Sequence, residues 1–312
     1  MIVNLKVKKF NIKLSKILWI ILFLFISCGG YEGNIVPYHD PNGSSSSNNN
    51  TPQYANIDFS HWKLTLPVDK DNNGSPDSYQ PNQLINNGYR TLVAVQPFMY
   101  DDTIDGSIVF YTYPDVSTTN SSYSRTELRE LINPSNSKEN WTLKNGGSIS
   151  GRLKMVEVSK NSNGSSYNHP KVILMQIHGI ISQNDMDLHS FTSNNAPPLL
   201  KMTWIDGNLW AYKKSLINEN TNGDNLLDVS SNTWSDIKHN MGYVGYEAFD
   251  LQIIASAGKL EVILNGNNSY TFEDGSLAKW PFENYFKAGN YLGSTDKEAF
   301  SKLKYYKLTV TH

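Results

Sequence analysis

Pro170-Lys171-Val172-Ile173-Leu174-Met175-Gln176-Ile177-His178-Gly179 reads as a β-strand, rich in β-branched and apolar residues and bounded by Pro and Gly. Side chains alternate faces along a strand, so Val172, Leu174, Gln176 and His178 are expected on one side. Ile173, Met175 and Ile177 fall on the other, a wholly apolar row suited to a core. The first row starts apolar and ends in an amide and an imidazole, where a simple buried strand would continue with Val or Leu. Two further segments repeat this pattern. In Ser124-Arg125-Thr126-Glu127-Leu128-Arg129-Glu130 a period of two groups Arg125, Glu127 and Arg129. In Tyr285-Phe286-Lys287-Ala288-Gly289-Asn290-Tyr291 it groups Tyr285, Lys287 and Tyr291. As neighbours in one sheet, these strands would merge guanidinium, amide, imidazole, ammonium and phenol groups into one patch. Such groups can hold a carboxylate and move a proton.

Outward from these segments, strand signals recur between Gly, Asn and Pro. They cover 91–95, 107–113, 124–131, 148–158, 171–177, 199–204, 209–213, 250–255, 259–264 and 304–311, with an early strand within 57–68. Residues 259–267 read as a hairpin arm closing in a tight turn, and 81–85 as one short helix. No long stretch keeps a helical period. Ten or more short strands without alternating helices predict an all-β sandwich or jelly roll and argue against a βαβ fold. The polar stretch 180–198 contains Asp185, Asp187 and His189, and its length marks it as a functional loop at the rim of the patch. In the loop after the first strand, Asp69, Asp71 and Asn73 have the spacing of a structural calcium site. The twelfth position is Gln80 instead of a bidentate Glu, and a polar turn accounts for the same residues.

Not all 312 residues belong to the fold. Residues 1–27 combine a Lys-rich start with an apolar run from Ile17 to Ile26, the pattern of an export signal. The run is shorter than the roughly 20 residues of a membrane span. It ends at Cys28, the only cysteine, so no disulfide supports the fold. A lone Cys at this place, after a small residue, resembles the lipobox of bacterial lipoproteins. That resemblance implies a lipid anchor on Cys28 at the outer-membrane or cell surface; an ordinary secretion signal with an incidental Cys, giving a secreted protein, fits the same segment. Residues 28–54 are Gly-, Ser- and Asn-rich and read as a flexible tether. The remainder, 55–312, suits one all-β domain. With a net charge of -2 and no basic run, nothing suggests a nucleic-acid partner; a polyanion would need a local positive cleft.

Arg125-Thr126-Glu127-Leu128-Arg129, Gln176-Ile177-His178 and Tyr285 to Tyr291 together resemble, in order and separation, the three signature segments of the alginate lyases of polysaccharide lyase family 7. Trp62-Lys63-Leu64-Thr65-Leu66-Pro67 is similar to that family's opening strand. The resemblance covers 55–312 and implies a β-jelly roll whose concave sheet forms a groove for alginate. It implies metal-free β-elimination by a protein expected to act as a monomer. It further implies that Arg125 and Gln176 neutralise a uronate carboxylate, His178 removes the C5 proton and Tyr291 protonates the departing O4. Glu127, Arg129, Lys287 and Tyr285 would bind neighbouring sugars. Ile177 is associated in the family with guluronate-containing blocks.

Two other classes compete on the residues alone. A non-catalytic carbohydrate-binding jelly roll would need no aligned His, Tyr and Arg. A glycoside hydrolase would need two carboxylates flanking one bond. The nearest pair, Glu127 and Glu130, lies three residues apart and so on opposite faces of a strand. A lyase acting on another polyuronate fits the same residues as an alginate lyase.

Overall fold

The computed structural model describes residues 53–86 and 88–312; the export segment, Cys28 and the tether as far as residue 52 lie outside the described residues. Fifteen strands run through the described part. The first seven are β1 (Trp62–Thr65), β2 (Ser78–Tyr79), β3 (Met99–Asp101), β4 (Ile108–Thr112), β5 (Arg125–Glu130), β6 (Gly147–Val158) and β7 (Lys171–Ile180). Then follow β8 (Asn195–Ile205), β9 (Asn208–Leu216), β10 (Trp234–Tyr243), β11 (Ala248–Ser256) and β12 (Lys259–Leu264). The last three are β13 (Asn268–Phe272), β14 (Glu283–Gly293) and β15 (Ser301–Thr311). Three short helices interrupt them: α1 (Pro81–Leu84), α2 (Gln183–His189) and α3 (Gly275–Ala278).

The strands form two antiparallel sheets, the layered answer to strands with one apolar face each. One has the order β10-β9-β8-β7-β14-β5-β1-β2, the other β13-β12-β11-β6-β15-β4-β3. Together they make the expected jelly-roll sandwich. Between them lies a core that includes Trp204, Trp234, Phe110, Phe286 and Tyr305, all essentially without solvent contact. The three polar segments, scattered in sequence, become adjacent strands, because β14 lies between β7 and β5.

Strict alternation fails at one point in β7. Ile173 pairs with Thr203 and Met175 with Met202, so Leu174 is an extra residue relative to β8. Such a bulge reverses the parity of a strand. Val172 and Leu174 therefore join the core, and Ile173 joins Gln176 and His178 on the groove side. This corrects the expectation that Val172 and Leu174 share the polar face. Opposite the bulge, β14 carries the pair Gly289 and Asn290. Gly289 has φ +139°, and a Cβ there would stand 2.6 Å from the Thr126 carbonyl oxygen, so only glycine fits.

The bulge is tied to the other sheet by polar contacts. The buried Tyr305 hydroxyl of β15 donates to the Leu174 carbonyl at 2.6 Å and accepts from the Gly289 N–H at 3.0 Å. Buried Asn290 donates through Nδ2 to the carbonyls of Phe110 and Ser301, both at 2.9 Å. Irregular backbone in a core needs such partners, because a buried unpaired N–H or C=O costs about 1–3 kcal/mol.

Other expectations shift. Residues 91–95 form turns instead of a strand; Thr91 Oγ1 donates to the Gly88 carbonyl, and Val93 is 84% exposed, so no sheet face holds it. The stretch 180–198 is less of a loop than expected. It contains α2, capped by Ser182, whose Oγ accepts from the Asp185 N–H, and β8 begins within it. Asp69 accepts hydrogen bonds from the N–H groups of Asn73 and Gly74, and Asp71 accepts from the Asn73 N–H and side-chain amide, as in a polar turn. Asp69, Asp71 and Asp77 form a trio whose carboxylate oxygens lie within 4.8 Å of one another. Among the described residues, no helix is long and apolar enough to cross a membrane.

Candidate active site

The groove side of the eight-stranded sheet holds a cavity of about 490 Å³. Arg125 and Arg129 from β5, Gln176 and His178 from β7, and Tyr285, Lys287 and Tyr291 from β14 all line it. Register explains the gathering. Tyr285 pairs with His178 and Lys287 with Gln176 on one side of β14, while Lys287 pairs with Arg129 and Tyr291 with Arg125 on the other. Lys201, Asn195, Pro198 and the 118–123 segment complete the walls.

Glu127 lies below this surface and is only 2% exposed. Its carboxylate accepts from Gln176 Nε2 at 2.5 Å and Arg125 Nη1 at 3.2 Å, and forms an ion pair with Lys287. Burial alone would raise its pKa, but Lys287 and Arg125 outweigh that and hold it below the usual carboxylate value. An anion at the centre of three donors fixes all three side chains. Lys287 is itself pushed down to about 8, by burial first and by the neighbouring Arg125, against the pull of Glu127.

Arg125 lies with its guanidinium 3.9 Å from the centre of the Tyr291 ring. Its Nε is the one buried side-chain polar atom without a hydrogen-bond partner among the described residues. Arg125 itself lines the cavity, so its guanidinium stands at the wall where a carboxylate would be held. Tyr291 Oη lies 2.5 Å from Ser121 Oγ, a contact the sequence reading missed. Ser121 and Tyr123 sit just upstream of the Arg125 strand, and that adjacency was their only signal.

His178 is half-buried and stacks on Tyr285 at 5.2 Å with 14° between the rings. Its Nδ1 lies 2.8 Å from the Gly179 carbonyl, which can only accept; the proton therefore sits on Nδ1 and the lone pair on Nε2. Burial, then the Lys287 charge, push its pKa down to about 3, so the imidazole is neutral at ordinary pH. Arg129 packs 4.2 Å over the opposite part of this wall, against the Tyr285 ring, and donates to the Ser137 carbonyl at 3.1 Å. Glu130 faces away from the groove, accepting from Trp141 Nε1 and the Phe286 N–H. The two glutamates therefore do not flank a common site.

Against known families, residues 57–312 match the alginate lyase model, so the chain belongs to the alginate lyases of polysaccharide lyase family 7. Among solved structures it is similar to the alginate lyase A1-II′, a member of polysaccharide lyase family 7. The two share 30% identity with a TM-score of 0.62, over 82% of this chain and 96% of that one. A doubly substituted form of that lyase, His to Asn and Tyr to Phe, in complex with substrate (GGMG), is 28% identical with a TM-score of 0.62, covering 84% and 97%. The alginate lyase from Klebsiella pneumoniae shares the fold at 21% identity and a TM-score of 0.63, covering 82% and 96%. Comparison with curated protein sequences gives no match.

Proposed function

We propose that the protein cleaves the 4-O-linkages of alginate by β-elimination, leaving an unsaturated uronate at the new non-reducing end, with guluronate-containing blocks preferred. The observation that carries this reading is the convergence of the Arg125 guanidinium, the Gln176 amide, a neutral imidazole and a phenol on one cavity. The proton on C5 of a uronate is a poor acid, since its removal adds charge to an anion. Arg125, with the second N–H of the Gln176 amide, neutralises the carboxylate and stabilises that charge as it develops. His178 Nε2 takes the C5 proton; the electron pair forms the C4–C5 double bond, the bond to O4 breaks, and Tyr291 Oη gives its proton to O4. The Arg125 guanidinium lies where the resulting phenolate spreads its charge, and Ser121 Oγ can donate to it. In the free protein burial first, and then the Lys287 charge, keep His178 neutral; an arriving carboxylate offsets the share that comes from the cations and so favours proton transfer to the imidazole. Glu127 acts from beneath, as the counterion that aims Arg125, Gln176 and Lys287.

The guluronate preference draws on Ile177 and on the complexes of a 28% identical relative with the oligosaccharides GGG and GGMG. The test is near-ultraviolet absorbance with pure guluronate and pure mannuronate blocks as substrates. Growth of absorbance, faster on guluronate, is expected. A protein that binds alginate without any absorbance change would be a carbohydrate-binding jelly roll instead.

A further inference from the structure

The cavity accounts for only the middle of a longer feature. In the register of the eight-stranded sheet, Lys63 pairs with Arg129, Arg129 with Lys287, and Lys287 with Gln176. The same line continues from Gln176 to Lys201, Lys201 to Tyr212, and Tyr212 to Lys238. One side chain from each of seven adjacent strands thus falls on a single row crossing the strands, and five of the seven are Lys or Arg. Arg129, Lys287, Gln176 and Lys201 line the cavity, and Tyr212 and Lys238 continue the row beyond it. Lys201 lines the cavity, its Nζ lies 5.5 Å from the centre of the Tyr212 ring, and Lys238 Nζ lies 5.9 Å from the same ring. Asp236 holds Lys201 at 2.8 Å and Lys214 at 3.0 Å, which fixes the arm while leaving it net positive. Lys238 is exposed and forms no salt bridge among the described residues.

The spacing of the row has a chemical meaning. Adjacent strands lie ~4.8 Å apart, about the length of one pyranose unit in a 4-linked chain. A polyuronate carries one carboxylate per sugar. A chain laid across the strands would bring successive carboxylates past successive strands, with cations on both sides of Gln176. No single surface ion pair contributes much, but a row of them adds up along a polymer and steers it.

We propose that Lys201, Tyr212 and Lys238 form a distal arm of subsites for a long polyuronate, so that the chain is gripped on both sides of the scissile bond and cut internally. This rests on the lyase reading above, and the experiment separates the two. KM and kcat are measured for wild type, Lys238→Ala and Lys238→Glu on long alginate and on short oligomers. Lys259→Glu, on β12 of the other sheet, is the charge-matched control. For Lys238→Glu, KM on long chains should rise about three- to fivefold at low salt, with kcat unchanged and short oligomers unaffected; the difference should shrink as salt is raised. Early products should be a spread of sizes. In parallel, alginate binding is measured on Tyr291→Phe protein with and without Lys238→Glu. Length-dependent, Lys238-dependent binding in a protein whose wild type leaves no unsaturated product would overturn the lyase reading and keep the arm. A Lys238→Glu effect equal at all lengths, or no larger than that of Lys259→Glu, would overturn the arm. Failure to bind alginate at any length would overturn both.

Discussion

The Tyr305 hydroxyl, rooted in the sheet that does not form the groove, donates to the Leu174 carbonyl at the bulge that turns Gln176 and His178 toward the groove. It also accepts from the Gly289 N–H on the neighbouring strand. One phenol thereby stabilises irregular backbone on both β7 and β14. Tyr305→Phe keeps the ring but strands a carbonyl and an N–H in the core. The expected loss is about 2 kcal/mol, read by denaturant unfolding, with kcat falling more than KM rises because the site loses alignment. An unchanged unfolding midpoint would mean that water or another group takes over both bonds.

Tyr291→Phe removes one hydroxyl from a packed ring, so circular dichroism should be unchanged while turnover drops about 10²- to 10⁴-fold, the usual contribution of a proton donor. Arg125→Ala should cost about 10²- to 10³-fold on either uronate, since both pass through the same doubly charged state. His178→Asn should abolish cleavage of guluronate, with residual turnover on mannuronate if Tyr291 serves there as both base and acid. A folded Tyr291→Phe protein with near-normal kcat on both block types would refute this division of labour.

The buried charges set two pH responses. Lys287, pushed down to about 8, loses its proton above that value, leaving Glu127 with one cation fewer and the substrate carboxylate less attracted. In the free enzyme kcat/KM should therefore fall above about pH 8, and Lys287→Arg should move that alkaline limb upward.

Stability responds through His178, which is neutral when folded down to about pH 3 but takes a proton near 6.5 when unfolded. Between those values the unfolded chain binds more protons, so His178 makes the protein less stable as pH falls from 6.5 toward 3. Glu127, with a lowered pKa, adds a loss in the same direction as pH falls through its folded value. His178→Asn should flatten the dependence of Tm on pH across that window. A profile parallel to wild type would show that other groups govern acid stability.

At the chain's start, we propose that Cys28 carries a lipid that holds the enzyme at the cell surface. Cys28→Ser, expressed in the native host, should move the protein from the membrane to the soluble fraction. Retention on the membrane would exclude that anchor.

Period-two rows carried the site because a strand presents alternate residues to one face whatever its surroundings. Arg125, Arg129, Tyr285, Lys287 and Tyr291 were legible for that reason, and Glu127 as their companion. Leu174 was not, since a bulge comes from pairing with β8 and β14 and leaves no mark in an unbroken apolar run. Strand β10, Trp234–Tyr243, went unread because it lies at the sheet edge, where Asp236, Ile237 and Lys238 in succession are exposed and erase the alternation. The turn at 91–95 misled for the converse reason: Thr91, Val93 and Val95 alternate, but no neighbouring strand pairs with them. Ser121 lies in a loop, where only the folded chain shows which phenol it meets.

The place of β14 between β5 and β7 has a bearing on time. It follows both in the chain, and its contacts reach back far; Tyr285 and His178 are 107 positions apart. Pairings of that range form slowly, because the loop between them must close first. His178 and Tyr291 come to line one cavity only when β14 enters the gap between the two earlier strands. A chain on which β14 has not yet docked would therefore hold Arg125, Arg129 and His178 without Tyr285, Lys287 and Tyr291, and its groove would be completed late.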